Sequence, residues 1–436
     1  MYAAKLLFLS TLIFLLAFPA FAQGNKKESA LRVNQDRIEN RIFELAKFGQ
    51  DSLGRNYRVA YSKGDVEGRK WFLQQMKDAG LEVSVDYAGN LIGKRAGKNP
   101  SLKTIAFGSH IDMVPDGGNY DGAVGSISGL EVMQTLIENN IVTKHPLELF
   151  IFSDEEGSLI GSKAISGHFN QDRMEVKSNS GLTIRDGLKA IGGLADSLDS
   201  VTRGKDDFLA FLELHIEQGG NLDRENIQIG VVEGIVGIEH WEVTIEGFAN
   251  HAGTTPMNLR KDAMLSAAKL IVAVNEIITS HEGKQVGTVG KISAQPGAYN
   301  VIPGKVVLGL EIRDLSSETI KQMFSKIEEK AKEIAKEDGT TISFEDQLLG
   351  VIPALASPGI QNKIEAATKQ LGYSFKYLPS GAGHDAQDMA MIAPMGMIFV
   401  PSKGGISHSP NEFTEAEDMA NGANVLLQTI LLLDKD

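Results

Sequence analysis

Cysteine is absent from the 436-residue chain. That excludes disulfide bonds, thiol nucleophiles and thiolate metal sites together. A bound metal must therefore rest on His, Asp and Glu, and a nucleophile must be a hydroxyl, a carboxylate or an activated water. Positive charge is in deficit as well. Lys and Arg number 43 against 56 Asp and Glu, a net charge of −13, which argues against nonspecific nucleic-acid binding, since that needs a basic face. No Gly-x-Gly-x-x-Gly turn, phosphate-binding loop or repeat of fixed period occurs. What is present is an ordinary globular composition, 42% hydrophobic and 23% charged, in a chain long enough for two cores.

Residues 1–22 stand apart from this composition. A single charge, Lys5, precedes an apolar stretch from Leu6 to Phe18, and Ala20 to Ala22 close it with the small-x-small pattern "AFA". This predicts a cleaved signal peptide, a mature chain starting near Gln23, and an exported, periplasmic protein with no membrane association after cleavage. The competing reading, an uncleaved anchor, needs a longer apolar core and an immediate basic flank.

Further along, Ile38, Ile42 and Leu45 repeat at helical spacing, and a second helix is expected over Val66 to Asp78, ended by Gly80. Apolar runs then alternate with helical patterns to about residue 232. The strands "TIAFGSHID", "LELFIFS" and "LAFLELHIEQGG" flank helices such as "SISGLEVMQTLIENN", with Ile127, Leu130, Met133 and Ile137 on one face. The alternation predicts an α/β fold, a mainly parallel sheet with helices on both faces. From 233 to 345 the order reads β-α-β-β-α-β, the split ferredoxin-like unit, inserted into the first domain. The first domain, begun at 33–232, resumes over 346–436. Hinges are expected near Glu233 and Leu348.

The stretch "FIFSDEEGS", residues 150–158, crowds Asp154, Glu155 and Glu156 behind the apolar run Leu147 to Phe152. Mutual repulsion leaves two readings, a solvated loop or a bound cation, and the choice depends on other donors. His110 follows the strand "TIAFGSH", Asp121 opens a helix in "YDGAVGS", His215 lies in "ELHIEQGG" and His408 in "GISHSPNE". Singly, each has an ordinary explanation: a core histidine, a helix N-cap, a solvated acid. Together they fall at element ends, where α/β sheets gather ligands.

His110, Asp121, Glu156, His215 and His408 form a nitrogen and oxygen set suited to Zn²⁺, with Mn²⁺ or Co²⁺ as alternatives. Five donors exceed one tetrahedral ion with an open position and fit two ions sharing a carboxylate, best supplied by Asp121. Asp112 is placed to orient the His110 imidazole. On this reading one glutamate of the 155–156 pair binds metal and the other stands beside as general base. Divalent ions lower the pKa of bound water to about 7, which points to hydrolysis. His251, in "FANHAGTTPMNLRKDA", is a candidate oxyanion donor or a histidine of a turn-rich loop.

The stretches "GSHIDMVPDGGNYDGAVG", "SDEEGS", "ELHIEQGGNLD", "HAGTTPMNLRKDA", "GAYNVIPG", "GAGHDAQDM" and "SHSPNE" resemble the dinuclear-metal aminoacylase/carboxypeptidase superfamily. The "HIEQG" context is similar to its carbamoyl-amidohydrolase branch, which holds N-carbamoyl-L-amino acid hydrolase, allantoate amidohydrolase and β-ureidopropionase. The resemblance implies that His110, Asp121, Glu156, His215 and His408 ligate two metals with Asp121 bridging, and that Glu155 is the general base. It implies a homodimer formed through the inserted domain, with His251 reaching the neighbouring subunit's site. It also implies that Gln218, Asn300, Arg313 and His384 contact a small substrate bearing a carboxylate. Arg313 ends a strand in "LEIRD", where a guanidinium can grip a carboxylate bidentately or pair with Asp314 or another acid. The expected activity is hydrolysis of the ureido C–N bond of N-carbamoyl-L-amino acids or allantoate. An aminoacylase or dipeptidase on the same scaffold is the alternative, followed by a non-catalytic periplasmic binding protein.

Overall fold

The computed structural model of the chain describes residues 30–347 and 350–436. The signal-peptide expectation for 1–22 and the hinge position Leu348 lie outside them.

Nine strands form the larger sheet. From one edge the order is Glu82–Val85, Leu91–Arg95, Leu147–Phe152, Thr104–His110, Phe208–Ile216, Met395–Val400, Ile229–Ile235 and Ala354–Leu355, and Phe375–Ser380 also pairs with Ile229–Ile235. The four central strands, Leu147–Phe152 to Met395–Val400, run parallel, while both flanks bring in antiparallel pairs. Leu147–Phe152, Thr104–His110 and Met395–Val400 are buried along their whole length. Burial on both faces explains why their sequences read as continuous apolar runs rather than alternations. Phe150, Phe152, Phe208 and Phe211 pack edge-to-face and stacked between them, each stabilising the fold by about 1.5–3 kcal/mol through burial.

One helix differs from its expected form. Ala123–Glu138 has not one apolar face but burial nearly all round, including Ser126, Ser128, Glu131 and Thr135. It is wedged between the sheet and the helices Gln35–Ala46 and Ala416–Leu433. A Cβ on Gly125 would stand 2.0 Å from the Leu214 carbonyl oxygen, so glycine sets how closely the helix lies on the sheet. Buried Glu131 is matched by Arg37 (Nε to Oε2, 2.6 Å) and Arg41 (Nη1 to Oε2, 3.2 Å), which meets the requirement that a buried charge be paired.

The second sheet has four antiparallel strands in the order Thr341–Asp346, Gly237–Glu246, Lys305–Asp314, Val286–Gln295. Along the chain, helices Ala263–Ser280 and Ser317–Asp338 interrupt them in the β-α-β-β-α-β order read from sequence. Alternation is clean here. Trp241, Val243, Ile245, Val306, Leu308, Leu310 and Ile312 pack with both helices in a core of their own, and Trp241 stacks on Phe324 at 4.2 Å. The opposite face carries polar side chains, among them His240, Glu242, Glu311 and Arg313.

Candidate metal centre

Parallel strands end on the same side of a sheet, so the residues that follow them converge. His110 ends the strand Thr104–His110, His215 lies at the end of Phe208–Ile216, and Glu155 and Glu156 follow Leu147–Phe152. Asp121 lies just ahead of the helix Ala123–Glu138, and His408 in the loop beyond Met395–Val400. Asp154, Gln218 and His408 adopt left-handed backbone, with φ of 54°, 56° and 52°. Such strain in non-glycine residues persists where the surroundings over-determine it. Gly122 has φ 62°, and a Cβ there would meet His110 Nε2 at 2.3 Å, so only glycine lets Asp121 approach this histidine.

Asp121 is the hub. Its Oδ1 lies 3.1 Å from His215 Nε2 and 3.7 Å from His110 Nε2, and its Oδ2 lies 3.1 Å from His408 Nε2. Glu156 Oε1 is 3.4 Å from His408 Nε2, and Glu155 Oε2 is 3.6 Å from His110 Nε2. Two donor groups that could hold a metal result, His110–Asp121–His215 and Asp121–Glu156–His408, sharing Asp121 through different oxygens. The five donors expected from sequence are thus brought together. A third grouping, Glu213–His215–His384, lies behind them, but Glu213 is already occupied by the Ser109 hydroxyl (2.7 Å) and the Ala386 amide (2.9 Å).

Hydrogen bonding prepares the histidines for a cation. His110 Nδ1 donates to the Asp112 carbonyl at 3.0 Å, and His215 Nδ1 to the Ile216 carbonyl at 2.9 Å, so each turns Nε2 towards the hub. Asp112 therefore orients His110 through its backbone. Its carboxylate, 3.7 Å from the ring, accepts instead from the Glu155 and Glu156 amides at 3.4 and 3.2 Å. Glu156 Oε1 and Gln218 Oε1 are buried without a hydrogen-bond partner, and such orphaned oxygens fit a divalent ion.

Electrostatics agree. Burial, then Glu156, pushes the Glu155 carboxyl well above its ordinary value. Burial, then Asp121, pushes Glu156 up to about 8. His110 is pushed down to about 4 by burial. Burial opposes it, yet hydrogen bonds from His215 and His408 hold Asp121 well below the usual carboxylate range. Carboxylates gathered out of water need positive charge beside them, which the donor set of this cluster is suited to hold as a divalent ion.

The remaining candidates divide. Gln218 Nε2 donates to Asp121 Oδ2 at 2.8 Å, and the buried His384 ring stands 4.4 Å from His215. Arg313 pairs with Glu311, not Asp314, and its Nη1 donates to the carbonyl of Gly381, in the loop that carries His384. His251 and Asn300 are exposed and adjacent, on a pair of loops joined by the Ala252 amide to Asn300 carbonyl bond at 2.9 Å. No hydrogen bond or ion pair among the described residues links either side chain to the cluster. His251 Nδ1 accepts from the Gly253 and Thr254 amides, so its proton sits on Nε2.

Several supporting residues escaped the sequence reading. Glu412 Oε1 accepts the Tyr120 and Asp121 amides at 2.9 and 3.0 Å and fixes the hub. Ser407 reaches both Asp121 and Glu412. Two buried arginines brace the strand ends, Arg58 on the Ile111 carbonyl (2.7 Å) and Arg69 on that of Phe152 (3.3 Å). Glu412 closes the quoted motif "SHSPNE", the one signal that could have found it.

Comparison with known proteins follows the same lines. The model of Peptidase family M20/M25/M40 matches residues 106–432. An N-carbamoyl-L-amino acid amidohydrolase of Geobacillus stearothermophilus is 40% identical over 403 residues, covering 91% of this chain and 98% of the relative. A ureidoglycolate hydrolase of Oryza sativa subsp. japonica is 37% identical over 413 residues, covering 92% and 85%. A solved amidase of the hydantoinase/carbamoylase family from Burkholderia multivorans superposes with a TM-score of 0.87 at 35% identity, covering 93% of this chain and 99% of that one.

Proposed function

Because this chain belongs to Peptidase family M20/M25/M40, in its carbamoyl-amidohydrolase branch, and is a hydrolase, we propose that it cleaves the ureido C–N bond of an N-carbamoyl-L-amino acid or of allantoate. The observation that carries this reading is the pair of three-donor groups sharing Asp121, with Glu155 beside them.

Two divalent ions, zinc or else manganese or cobalt, would be held by His110, Asp121 and His215 and by Asp121, Glu156 and His408, and they would supply carbonyl polarisation and a more acidic water. Glu155 is the general base. Its Oε2 takes a proton as water adds to the ureido carbon, and returns it to the amino-acid nitrogen as the C–N bond breaks. The carbamate released decomposes to ammonia and carbon dioxide. His251, with its proton on Nε2, donates to the oxyanion. Arg313 holds the substrate carboxylate, and Gln218, Asn300 and His384 complete the substrate contacts.

His251 reaches the site of a neighbouring subunit, and Asn300 comes onto the metal centre by domain closure. We assign residues 233–345 to an inserted ferredoxin-like lid and dimerisation domain, with the rest of the mature chain, 33–232 and 346–436, as the metal-binding domain, and a hinge near Glu233. Exposed apolar residues cluster on this lid: Leu265 and Val272 on one helix, Val286 and Ile292 on the edge strand, and Phe248, Met257, Leu259 and Tyr299 around the His251 loop. An unpaired edge strand beside apolar side chains supports a second copy as the occupant. We also infer export to the periplasm from the composition of residues 1–22, and a periplasmic product starting near Gln23 is its test.

The deciding experiment measures ammonia released by metal-loaded protein from N-carbamoyl-L-amino acids and from allantoate, with chelated protein as control. Chelator-sensitive ammonia is expected, and the preferred compound names the substrate. No ammonia from metal-loaded protein would overturn the reading in favour of an aminoacylase or dipeptidase.

A further inference from the structure

We propose that Glu311 and His240 are positioning residues for Arg313, a clamp that presents one edge of its guanidinium to the substrate carboxylate. The inference rests on the reading of Arg313 given above. Glu311 and Arg313 stand two residues apart on the strand Lys305–Asp314, so both project from the same face of the sheet. Arg313 Nε lies 2.7 Å from Glu311 Oε1, and its Nη2 lies 3.0 Å from Glu311 Oε2. This is a bidentate pair along the Nε side of the guanidinium. His240 is the direct cross-strand neighbour of Glu311, and its Nε2 lies 2.8 Å from Glu311 Oε2. His240 Nδ1 is buried without a partner, so Nε2 is the nitrogen through which this ring acts.

The arrangement spends one side of a five-donor fork and leaves the other. Nη1, and the second hydrogen of Nη2, face away from Glu311. Nη1 donates at 2.7 Å to the carbonyl of Gly381, three residues before His384. The guanidinium thus reaches from the four-stranded sheet to a loop beside the metal centre, by the edge a carboxylate would take. An unclamped arginine distributes over many rotamers, whereas a clamped one needs little further ordering when a ligand arrives. Partial burial opposes ionisation of Glu311, but Arg313 holds its carboxyl below the ordinary value, and His240 adds to this, so Glu311 faces the guanidinium as a carboxylate at neutral pH. Glu311 and the substrate use different edges, so the acid orients the arginine without competing for it.

The test uses metal-loaded full-length chain with N-carbamoyl-L-alanine and with the amide of the same compound. Glu311→Gln should raise KM for the acid about tenfold with kcat held within about twofold, the pattern of lost uniform binding, and should leave KM for the amide unchanged. His240→Gln should move KM for the acid in the same direction by about threefold, and it carries the test if the first variant fails to fold. Unchanged or lowered KM for the acid in both variants would overturn the clamp, a fall marking Glu311 as a competitor. Arg313→Ala separates the two levels of argument. If it leaves discrimination between acid and amide intact, the carboxylate reading falls and the clamp with it. If it abolishes discrimination while Glu311→Gln and His240→Gln preserve it, the clamp alone falls.

Discussion

The two sheets solve different problems with the same chain. The nine-stranded sheet buries its central strands on both faces, so polar chemistry is expelled to the strand ends, and parallel direction gathers those ends in one place. Its donors are held by backbone carbonyls, buried arginines and Glu412 before any ligand arrives. The four-stranded sheet buries one face only. Its loops carry Asn300 and His251, which are exposed and make no hydrogen bond or ion pair with the metal cluster among the described residues, while its polar face carries Arg313, which reaches the Gly381 loop. The first sheet holds its whole donor set in place, whereas of these three residues on the second only Arg313 is clamped and the His251 and Asn300 loops stand exposed.

The largest effect expected is on the first. Glu155→Gln should cost about 10²–10⁴ in kcat, the scale of a lost general base, while metal content measured by mass spectrometry stays at the wild-type value. Turnover near wild type would remove Glu155 from the chemistry. Metal loss along with activity would make it a ligand and redraw the hub around it.

Next comes His251→Ala, expected to cost about 10²–10³ in kcat as a lost oxyanion donor. Mixing this variant with Glu155→Gln sharpens the contrast, because each subunit keeps what the other lacks. If His251 acts across subunits, subunit exchange should restore part of the activity. If it acts within its own subunit, the mixture should stay inactive, and the second sheet would be a lid closing on its own metal centre.

Stability gives a smaller but parallel contrast. Phe211→Ala, in the large sheet, and Leu308→Ala, in the small one, should each cost about 2–5 kcal/mol by leaving a cavity. Only the second should be separable from metal binding. Metal titration of both variants checks this, and a Leu308→Ala protein unable to bind metal would show that the two sheets fold as one.

The residues that gather in the candidate metal centre were legible in sequence, because the signals for them are local. A polar residue at the end of an apolar run is visible at once, as for His110, Glu156 and His215, and Asp121 and His408 join them from a helix start and a loop. The β-α-β-β-α-β order was legible for a similar reason, since a sheet buried on one face keeps its period of two. What stayed hidden depends on distance along the chain. Glu412 serves an amide 291 residues away, and no window of sequence contains both partners. The helix Ala123–Glu138 misled in another way. An amphipathic reading presumes a solvent face, and this helix lies between a sheet and two helices, with Glu131 neutralised by arginines from far upstream.

The smallest predicted effects have opposite signs in the two regions. Asp65, beside the first sheet, is fully buried and pushed up to about 6 by burial, an effect Arg69 only partly offsets. Its folded pKa exceeds its unfolded value, so the stability it contributes is complete below about 4 and is lost as pH rises through about 6. Glu311, in the second sheet, is held below its ordinary value despite partial burial. Its contribution is present above the ordinary glutamate value and is lost as pH falls through the folded one. Unfolding followed across pH 3–8 should therefore show Asp65→Asn gaining on wild type as pH rises from 4 to 6, by no more than about 3 kcal/mol. Glu311→Gln should match wild type most nearly at the acid end and lose ground to it as pH rises towards the ordinary glutamate value. Curves moving in the same direction would mean that burial, and not the arginine, governs both acids.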